Sequence, residues 1–295
     1  MAHDLKWDDL QVVLAVAEHR SLSGAARAIG VNHSTVLRRI EAMERQTGLT
    51  MFDRPPGGYR LRAEARELLP LLRAMAGSAA RVERALAAAR LGKGGTFRIT
   101  TTDSIGNVLL PRLLTQLQAR EPEIEIEVIV SNQALDLSRP EAEITIRPAS
   151  TLPDGLRGVR AGSMAFRVYG TEEYLAAHQS NDPAEHRWIG AAAPLTRSPV
   201  GQWQEQRLPN PPLLRADSFP TMARMAAEGA GLAMLPVFIA KSEPLLVQTP
   251  AFHDHETTSI WVAAHADLAS VPQIADLIEF FAEAIRGEAE DLEGE

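Results

Sequence analysis

Residues 21–44 constrain the fold of this chain more than any other segment does. Their sequence, SLSGAARAIGVNHSTVLRRIEAME, predicts two short helices joined by a tight turn. Gly30 stands where the chain must reverse, because glycine tolerates the positive φ that ends a helix. In the second helix, apolar residues recur at spacings of four and three, which places them on one buried face. These residues are Val36, Ile40 and Met43.

The other face of this second helix carries short polar groups and arginine. A helix-turn-helix needs that division when it inserts its second helix into the major groove of DNA. An ordinary helical hairpin with a solvated arginine face is the alternative, because short motifs also occur by chance. The flanking segments favour DNA binding. Residues 7–19 predict an amphipathic helix, and residues 49–52 predict a short strand. Residues 55–58 predict a turn that leads into a second strand at residues 59–61. Together they predict a winged helix-turn-helix.

Residues 10–54 resemble the DNA-binding domain of LysR-type transcriptional regulators. AVAEHRSLSGAARAIGVNHSTVLRRIEAME follows that family's helix, serine cap, Ala-Ala pair and recognition helix, and GLTMFDR resembles its Gly-x-x-Leu-Phe-x-Arg. Phosphate contacts position a protein on DNA, whereas base contacts specify the sequence. The candidates for contacts with bases or the nearby backbone are His33, Ser34, Thr35, Leu37 and Arg38, and those for phosphates are Arg39, Arg54 and Arg60.

The chain departs from the family pattern in two places. Leu37 stands where the family usually has a small polar residue, so a base contact there would be made by methyl groups. Residues 61–66 replace the family's Leu-Thr-x-Ala-Gly, which removes a threonine cap and a glycine. The start of the following helix is therefore left open.

Charge is distributed unevenly along the chain. Residues 1–90 contain 14 Lys and Arg against 10 Asp and Glu, while the remaining residues contain 16 against 28. A basic head on an acidic body suits a protein that meets phosphates at one end only. Such asymmetry is common among proteins, so it supports the DNA-binding interpretation but does not establish it by itself.

Residues 63–91 predict a long helix with a narrow apolar seam, in which spacings of three and four alternate. The seam consists of Leu68, Leu72, Met75, Ala79, Val82 and Leu86. Resemblance to the family implies a dimer formed by these helices, with a tetramer left open. Packing of the seam against the chain's own larger domain is the alternative. Pro70 interrupts the pattern, since proline costs about 3 kcal/mol inside a helix, so the helix either kinks there or becomes regular nearer Leu71.

Beyond a flexible linker at residues 91–95, predicted strands and helices alternate, which is typical of an α/β domain. One predicted helix spans residues 108–120 with Pro111 in its first turn, and residues 287–295 predict a frayed acidic tail. The order of elements resembles the family's two-lobed effector domain, whose fold is like that of periplasmic binding proteins.

The predicted fold class is therefore α/β, with an N-terminal winged helix-turn-helix, a long linker helix and a two-lobed effector domain. The predicted boundaries are 1–62 for the DNA-binding domain, 63–91 for the linker helix and 95–295 for the effector domain. One lobe is expected at about 95–160 and 266–288, and the other at about 161–265.

In such a domain the ligand would lie between the lobes, where strand ends and helix N-termini meet. The candidate effector contacts are Thr101, Thr102, Asp103, Ser104, Arg147, Ser218 and Phe219. Thr102 and Ser104 can instead cap a helix, and Arg147 can pair with Glu141 or Glu143 on the surface. Asp103 would repel a wholly anionic ligand, so the effectors to be tested include amine-bearing and neutral molecules.

The sequence lacks GxSxG, HExxH and a GxGxxG turn after a strand, so no enzyme and no cofactor are predicted. The absence of cysteine excludes a thiol redox switch. The cluster of His253, Asp254, His255 and Glu256 lies in a predicted loop and is a poor metal site, so no metal is predicted. The sequence shows neither an export signal nor an apolar run long enough for a bilayer, which predicts a cytoplasmic protein without membrane contact.

These patterns predict a sequence-specific transcription regulator that binds double-stranded DNA, associates with itself and binds an unknown small molecule between two lobes. The alternative is a DNA-binding and dimerisation module with a vestigial, ligand-independent C-terminal domain.

Overall fold

The computed structural model describes residues 5–90, 96–133, 142–252 and 256–294. The chain divides into two compact units, an N-terminal unit of residues 1–83 and a C-terminal unit of residues 84–295. The predicted flexible linker at residues 91–95 lies outside the described residues.

The N-terminal unit is a winged helix-turn-helix, as predicted. It contains α1 (Trp7–His19), α2 (Leu22–Ile29), α3 (His33–Thr47) and an antiparallel hairpin of β1 (Phe52–Asp53) and β2 (Arg60–Leu61). The Ser21 hydroxyl accepts a hydrogen bond from the Gly24 amide at 2.8 Å and so begins α2. Strand β1 begins later than predicted, and the Met51 amide before it donates to the Glu44 carboxylate of α3 at 2.7 Å.

The wing is held against the turn between α1 and α2. The Tyr59 amide donates to the Arg20 carbonyl at 2.8 Å. Gly58 has a φ of +135°, and a Cβ at this position would lie 2.3 Å from the same carbonyl oxygen. Both the backbone conformation and the close approach therefore require glycine.

Helix α4 (Leu68–Arg90) follows a short 3₁₀ turn at Ala63–Ala65. It begins five residues later than predicted, which places Pro70 in its first turn. An amide hydrogen is not needed for helical hydrogen bonding in that turn, so the proline is accommodated without a break.

The predicted seam on α4 does not remain on one exposed face. Leu72 is only 4% exposed and belongs to the apolar core of the N-terminal unit, and Leu68 packs against that core. Ala79 is partly buried. Met75, Val82 and Leu86 are exposed, and Leu71, which was not assigned to the seam, is exposed as well. The seam prediction was wrong for Leu68 and Leu72, because the helix-turn-helix uses the first turns of α4 to complete its own core.

The C-terminal unit is α/β, as predicted, and is built on one seven-stranded sheet with a smaller two-stranded sheet beside it. Its strands are β3 (Thr96–Thr101), β4 (Glu125–Val130), β5 (Ile144–Ala149), β6 (Leu156–Thr171), β7 (Ile189–Ala191), β8 (Leu214–Ala216), β9 (Ala233–Pro236), β10 (Leu246–Gln248) and β11 (Glu256–His265). The large sheet has the order β10-β6-β11-β5-β3-β4, with β9 also paired to β6, and the small sheet pairs β7 with β8.

Two long strands carry the sheet through both lobes. β6 pairs with β11 from Leu156 to Phe166 and with β9 and β10 beyond that point. β11 also pairs with β5, which lies beside the parallel strands β3 and β4 of the first lobe. Because these strands are shared, strand pairing sets no boundary between the lobes, and the domain and lobe limits stay a prediction.

The helices of the C-terminal unit are α5 (Leu110–Arg120), α6 (Glu172–Ala177), α7 (Pro199–Arg207), α8 (Phe219–Ala227), α9 (Val237–Lys241), α10 (Pro272–Arg286) and α11 (Ala289–Glu293). A π-helical turn at Ile105–Leu109 runs directly into α5. The predicted helix at 108–120 therefore begins earlier, and Pro111 follows the wider turn, where the regular hydrogen-bond ladder is already interrupted.

The predicted frayed tail is wrong. Residues 289–293 form α11, in which Leu292 is 1% exposed within the apolar core of the C-terminal unit. Burial of this one leucine stabilises a segment whose other side chains are mostly acidic or small. In the described part of the chain, the longest helices are too short or too polar to traverse a bilayer.

Candidate functional site

The outward face of α3 presents the predicted DNA contacts to solvent. Val36, Ile40 and Met43 are buried in the core of the N-terminal unit. His33, Ser34 and Arg38 are exposed on the opposite side of the helix. The sequence therefore folds so that the core residues fix the helix and the polar residues stay available to a partner.

Three of the other predicted contacts are less available. Thr35 is partly buried, and Leu37 is partly buried against the apolar core. Arg39 donates to the Asp8 carbonyl at 3.3 Å, and its guanidinium lies 3.9 Å from the Asp9 carboxylate. Arg39 therefore joins α3 to the start of α1, a role that the sequence analysis missed.

The wing supplies two exposed arginines beside this helix. Arg54 lies 3.9 Å from the Glu41 carboxylate, and its guanidinium is 5.5 Å from the centre of the Tyr59 ring. Arg60 is exposed on β2. The tyrosine contact orients Arg54 while leaving its charge near the surface. Both arginines stay predictions as phosphate contacts.

The C-terminal unit contains a cavity of about 600 Å³ between its lobes, here called the cleft cavity. Of the predicted effector contacts, it is lined by Thr102, Asp103, Ser104, Arg147 and Phe219.

Thr101 and Ser218 are not among the lining residues. Thr101 is fully buried and donates to the Ile146 carbonyl at 2.8 Å. The Ser218 hydroxyl accepts from the Thr221 amide and so caps α8. Both side chains hold the fold together instead of facing the cavity.

Strand alternation explains which residues face the cleft cavity. In the parallel register of β3 and β5, Thr100 lies beside Thr145 and Thr101 beside Ile146. Because neighbouring positions on a strand point to opposite faces, Thr145 and Arg147 share one face of β5 while Ile146 points to the other. The face with Thr145 borders the cavity, and the face with Ile146 joins the apolar core.

Arg147 is fixed at the cavity wall. Its two terminal nitrogens donate to the Gln133 carbonyl at 2.7 Å and to the Thr100 hydroxyl at 2.8 Å. The alternative pairing with Glu143 is wrong, because Glu143 binds Arg98, with Nη2 and Oε1 2.9 Å apart. The hydrogen bond that Arg98 donates to the Glu143 carboxylate is the main cause that raises the pKa of Arg98 above its ordinary value. The other predicted alternative partner, Glu141, lies outside the described residues.

A chain of hydrogen bonds links the two lobes beside the cavity. The Asp103 carboxylate accepts from the Ser104 amide at 2.6 Å and from the Ser104 hydroxyl at 3.2 Å. The Asp103 amide donates to the side-chain oxygen of Asn132 at 3.1 Å. The side-chain nitrogen of Asn132 donates to the Asp217 carbonyl, immediately before α8, at 2.7 Å. Asn132 thus connects the end of β4 in one lobe to α8 in the other.

Sequence reasoning missed several lining residues that lie far from the predicted strand ends. They include Arg197 in a 3₁₀ turn, Met164 and Phe166 on β6, and Trp261 on β11. Nothing in the sequence indicated which faces of these two strands would border a cavity. Of the four residues that the sequence analysis considered as a metal site, His253, Asp254 and His255 lie outside the described residues. The prediction that no metal binds there is therefore not tested.

Comparison with known proteins recognises the same two parts of the chain. Residues 7–66 match the family described as bacterial regulatory helix-turn-helix protein, lysR family. Residues 90–286 match the LysR substrate binding domain, which covers more than half of the chain.

Similar proteins align with nearly the whole of this chain. The Mau operon transcriptional activator of Paracoccus denitrificans is 27% identical, covering 97% of this chain and 100% of the relative. The HTH-type transcriptional regulator CrgA of Neisseria meningitidis is 23% identical, covering 94% and 96%. The solved structure of CrgA matches with a TM-score of 0.55 at 21% identity, covering 95% of this chain and 99% of that one. The Vibrio cholerae virulence activator AphB matches with a TM-score of 0.57 at 21% identity, covering 93% and 99%. At these identities the solved structures establish a shared fold.

Proposed function

The chain belongs to the LysR-type transcriptional regulators, and on that premise we propose which of its residues contact DNA and how a small molecule alters that contact. The family binds DNA, forms oligomers and binds small-molecule effectors, so this protein is a transcription regulator and not an enzyme. Its operator is read by the exposed face of α3, and its effector lies in the cleft cavity. Its site of action is the cytoplasm, where bacterial DNA is found.

The observation that carries this proposal is the division of α3 into two faces. Val36, Ile40 and Met43 anchor the helix, while Ser34 and Arg38 project away from the core. An arginine on such a face can donate two hydrogen bonds to guanine in the major groove. Arg38 is therefore the principal base-reading residue, with His33, Ser34 and Thr35 beside it.

The cleft cavity favours a working effector site over a vestigial domain. Its volume of about 600 Å³ falls within the range of about 300–1,000 Å³ that small-molecule sites usually have. Residues from both lobes line it, so a ligand there can favour one arrangement of the lobes over another. A ligand acts only through such a difference in affinity between two arrangements.

Self-association is assigned to the exposed apolar residues of α4. Leu71, Met75, Val82 and Leu86 are all exposed, and their spacing places them along one stripe of the helix. A second copy of the same helix can bury this stripe. Oligomerisation then sets the distance between two copies of α3 and hence the spacing of the two operator half-sites.

Footprinting of the full-length protein on DNA upstream of its own gene and its neighbours tests the proposal. We expect a protected, interrupted dyad. Arg38→Ala should weaken specific binding by about 1–3 kcal/mol, or about 5- to 150-fold. Arg73→Ala is the matched control, because it removes an exposed arginine of α4 that pairs with Glu18 at 3.2 Å. Unchanged operator affinity in folded Arg38→Ala would contradict the base-reading role.

Loss of a phosphate contact should change DNA binding in a different way from loss of a base contact. Arg54→Ala and Arg60→Ala should each weaken binding to all DNA sequences alike and reduce the slope of log affinity against log salt by about one. A loss of discrimination between operator and unrelated DNA would instead mean that the wing reads bases.

A further inference from the structure

Two threonine hydroxyls at the cleft cavity are buried without a hydrogen-bond partner among the described residues. They belong to Thr102, at the end of β3, and Thr145, on β5. Thr145 is only 6% exposed, and both residues line the cavity. Buried polar groups in folded proteins are nearly always hydrogen-bonded, so two unsatisfied hydroxyls at one wall indicate a group that the ligand supplies.

The charges around the cavity specify that group further. Among the described lining residues, the charged side chains are Arg147, Arg197 and Asp103. The Asp103 carboxylate already accepts two hydrogen bonds from Ser104, at 2.6 and 3.2 Å. Arg147 comes from the first lobe and Arg197 from the second, so the cleft carries a positive charge on each side. An anion between them lowers their mutual repulsion and draws the lobes together.

A carboxylate matches this set of donors. It has two oxygens with about four acceptor positions, which can receive both threonine hydroxyls and a guanidinium. A primary carboxamide offers one oxygen and would turn its NH₂ donors toward the arginines. A free amine would meet two positive side chains and one carboxylate that is already engaged.

Much of the remaining lining is apolar, and this part includes Leu152, Met164, Phe166, Leu195, Phe219 and Trp261. Polar side chains also line the cavity, among them Gln133, Ser198, Gln202 and Thr258. The Trp261 indole nitrogen donates to the Ala149 carbonyl at 3.1 Å, so this ring presents mainly its hydrocarbon surface. The apolar part of the wall offers a contact surface for a ring or a branched hydrocarbon chain.

We propose that the effector is a monocarboxylate with an apolar body, whose carboxylate binds Thr102, Thr145 and Arg147 and attracts Arg197 from the second lobe. This inference rests on the proposed function, because it names the chemical class of the ligand for the same cavity.

The test uses the full-length protein and pairs of small probes. Benzoate, phenylacetate, indole-3-acetate and octanoate are each compared with the carboxamide of the same skeleton, and phenylalanine represents an amine-bearing carboxylate. Binding is measured by the shift in Tm and by calorimetry. We expect at least one carboxylate to bind about tenfold or more tightly than its carboxamide, and to raise the Tm by a few degrees at a concentration of about 100 Kd.

Thr145→Val identifies the site within the same experiment. This substitution keeps the shape of the side chain and removes a hydroxyl that has no hydrogen-bond partner in the described part of the chain, so the Tm of the ligand-free protein should stay the same or rise. Carboxylate affinity should fall about tenfold, and Arg147→Gln should lower it further. Thr101→Val is the matched control: it removes the hydrogen bond to the Ile146 carbonyl, so it should lower the Tm while leaving the preference for carboxylate over carboxamide unchanged.

The outcomes separate this inference from the proposed function. Tighter binding of the carboxamides, with loss in Thr145→Val, would overturn the monocarboxylate while retaining the cavity as the effector site. Carboxylate binding that Thr145→Val and Arg147→Gln leave unchanged would overturn the assigned contacts. If no carboxylate raises the Tm above its carboxamide, the ligand class is wrong, whereas an intact operator footprint by the same preparation would leave the DNA-binding function standing.

Discussion

The carboxylate of Asp291 lies 3.2 Å from the ammonium group of Lys241, which joins α11 to α9. The same carboxylate lies 3.2 Å from the guanidinium of Arg112 on α5. Helix α5 follows β3 in the first lobe, and α9 follows β9 in the second. Helix α11 therefore connects α5 and α9, which lie in different predicted lobes, through these two salt bridges, and it is anchored by the buried side chain of Leu292.

Leu292→Ala should lower the free energy of unfolding by about 2–4 kcal/mol, because it removes a buried leucine and leaves a cavity. Glu290→Ala is the control, since this side chain is exposed, and it should change stability by less than about 0.5 kcal/mol. Chemical denaturation of both variants measures the difference. Equal stability of Leu292→Ala and wild type would mean that the segment is frayed, as the sequence predicted.

The same bridge should give the protein a pH-dependent contribution at acidic pH. Hydrogen bonds from Lys241 and Arg112 lower the pKa of Asp291 below its ordinary value of 3.8. A lowered folded-state pKa stabilises the protein above the ordinary pKa, and this stabilisation is lost as pH falls through the lowered value. Because the pair is solvated, we expect Asp291→Asn to lower the Tm by only about 1–2 °C at pH 7. The difference from wild type should shrink as pH falls below 3.8 and vanish only below the lowered pKa of Asp291. A difference that grows toward low pH would contradict the assignment.

Local patterns predicted much of this fold because local chemistry determines those elements. Ser21 and Gly30 set the limits of α2 through a side-chain cap and a positive φ, and both can be recognised from residue type. The prediction for the C-terminal tail failed because the stability of this segment comes from Leu292, which packs into a core formed by distant segments. Helix α7 was missed because its nine residues include glycine and three polar amides, a weak helical pattern whose stability depends on burial of Trp203.

The functional residues likewise divide into those that the local sequence predicts and those whose roles depend on distant segments. The exposed face of α3 followed from helical periodicity, because the buried face alone fixes its orientation. The role of Arg39 depends on Asp8 and Asp9, thirty residues earlier, and no local pattern indicates that contact. Thr102 was a candidate from its place after a predicted strand, whereas Thr145 could be identified only once β3 and β5 were paired in register.

The corrected seam on α4 predicts opposite effects for two equivalent substitutions. Leu72→Asp should unfold the N-terminal unit, because this side chain is 4% exposed in its core and an unpaired buried charge is costly. Val82→Asp should leave that unit folded and disrupt self-association, because Val82 is 61% exposed. Circular dichroism reports folding, and light scattering reports the mass. A wild-type mass for Val82→Asp together with Met75→Asp would refute self-association through α4.

Two neighbouring glycines of the wing offer a matched comparison. Gly57 and Gly58 both have positive φ, but an added Cβ meets nothing within 4 Å at Gly57 and meets the Arg20 carbonyl at 2.3 Å at Gly58. Gly57→Ala should cost about 1 kcal/mol from backbone strain alone. Gly58→Ala should cost more, because the wing must also move away from α1, and it should weaken DNA binding by displacing Arg54 and Arg60. Equal effects of the two variants on operator affinity would show that the position of the wing does not matter for binding.

The hydrogen bonds of Asn132 predict how the lobes are held before a ligand enters. Its oxygen accepts from the Asp103 amide in the first lobe, and its nitrogen donates to the Asp217 carbonyl in the second. Asn132→Asp retains the acceptor but replaces the donor with a carboxylate, which repels the Asp217 carbonyl. Asn132→Ala removes both bonds.

Hydrogen exchange of the full-length protein distinguishes these two effects. In Asn132→Asp the Asp103 amide should stay protected, while the first amides of α8 exchange faster because the link between the lobes is lost. In Asn132→Ala both regions should exchange faster. If α8 keeps its wild-type exchange in both variants, Asn132 does not hold the lobes together, and the arrangement of the cleft in the absence of ligand must come from the shared strands β6 and β11.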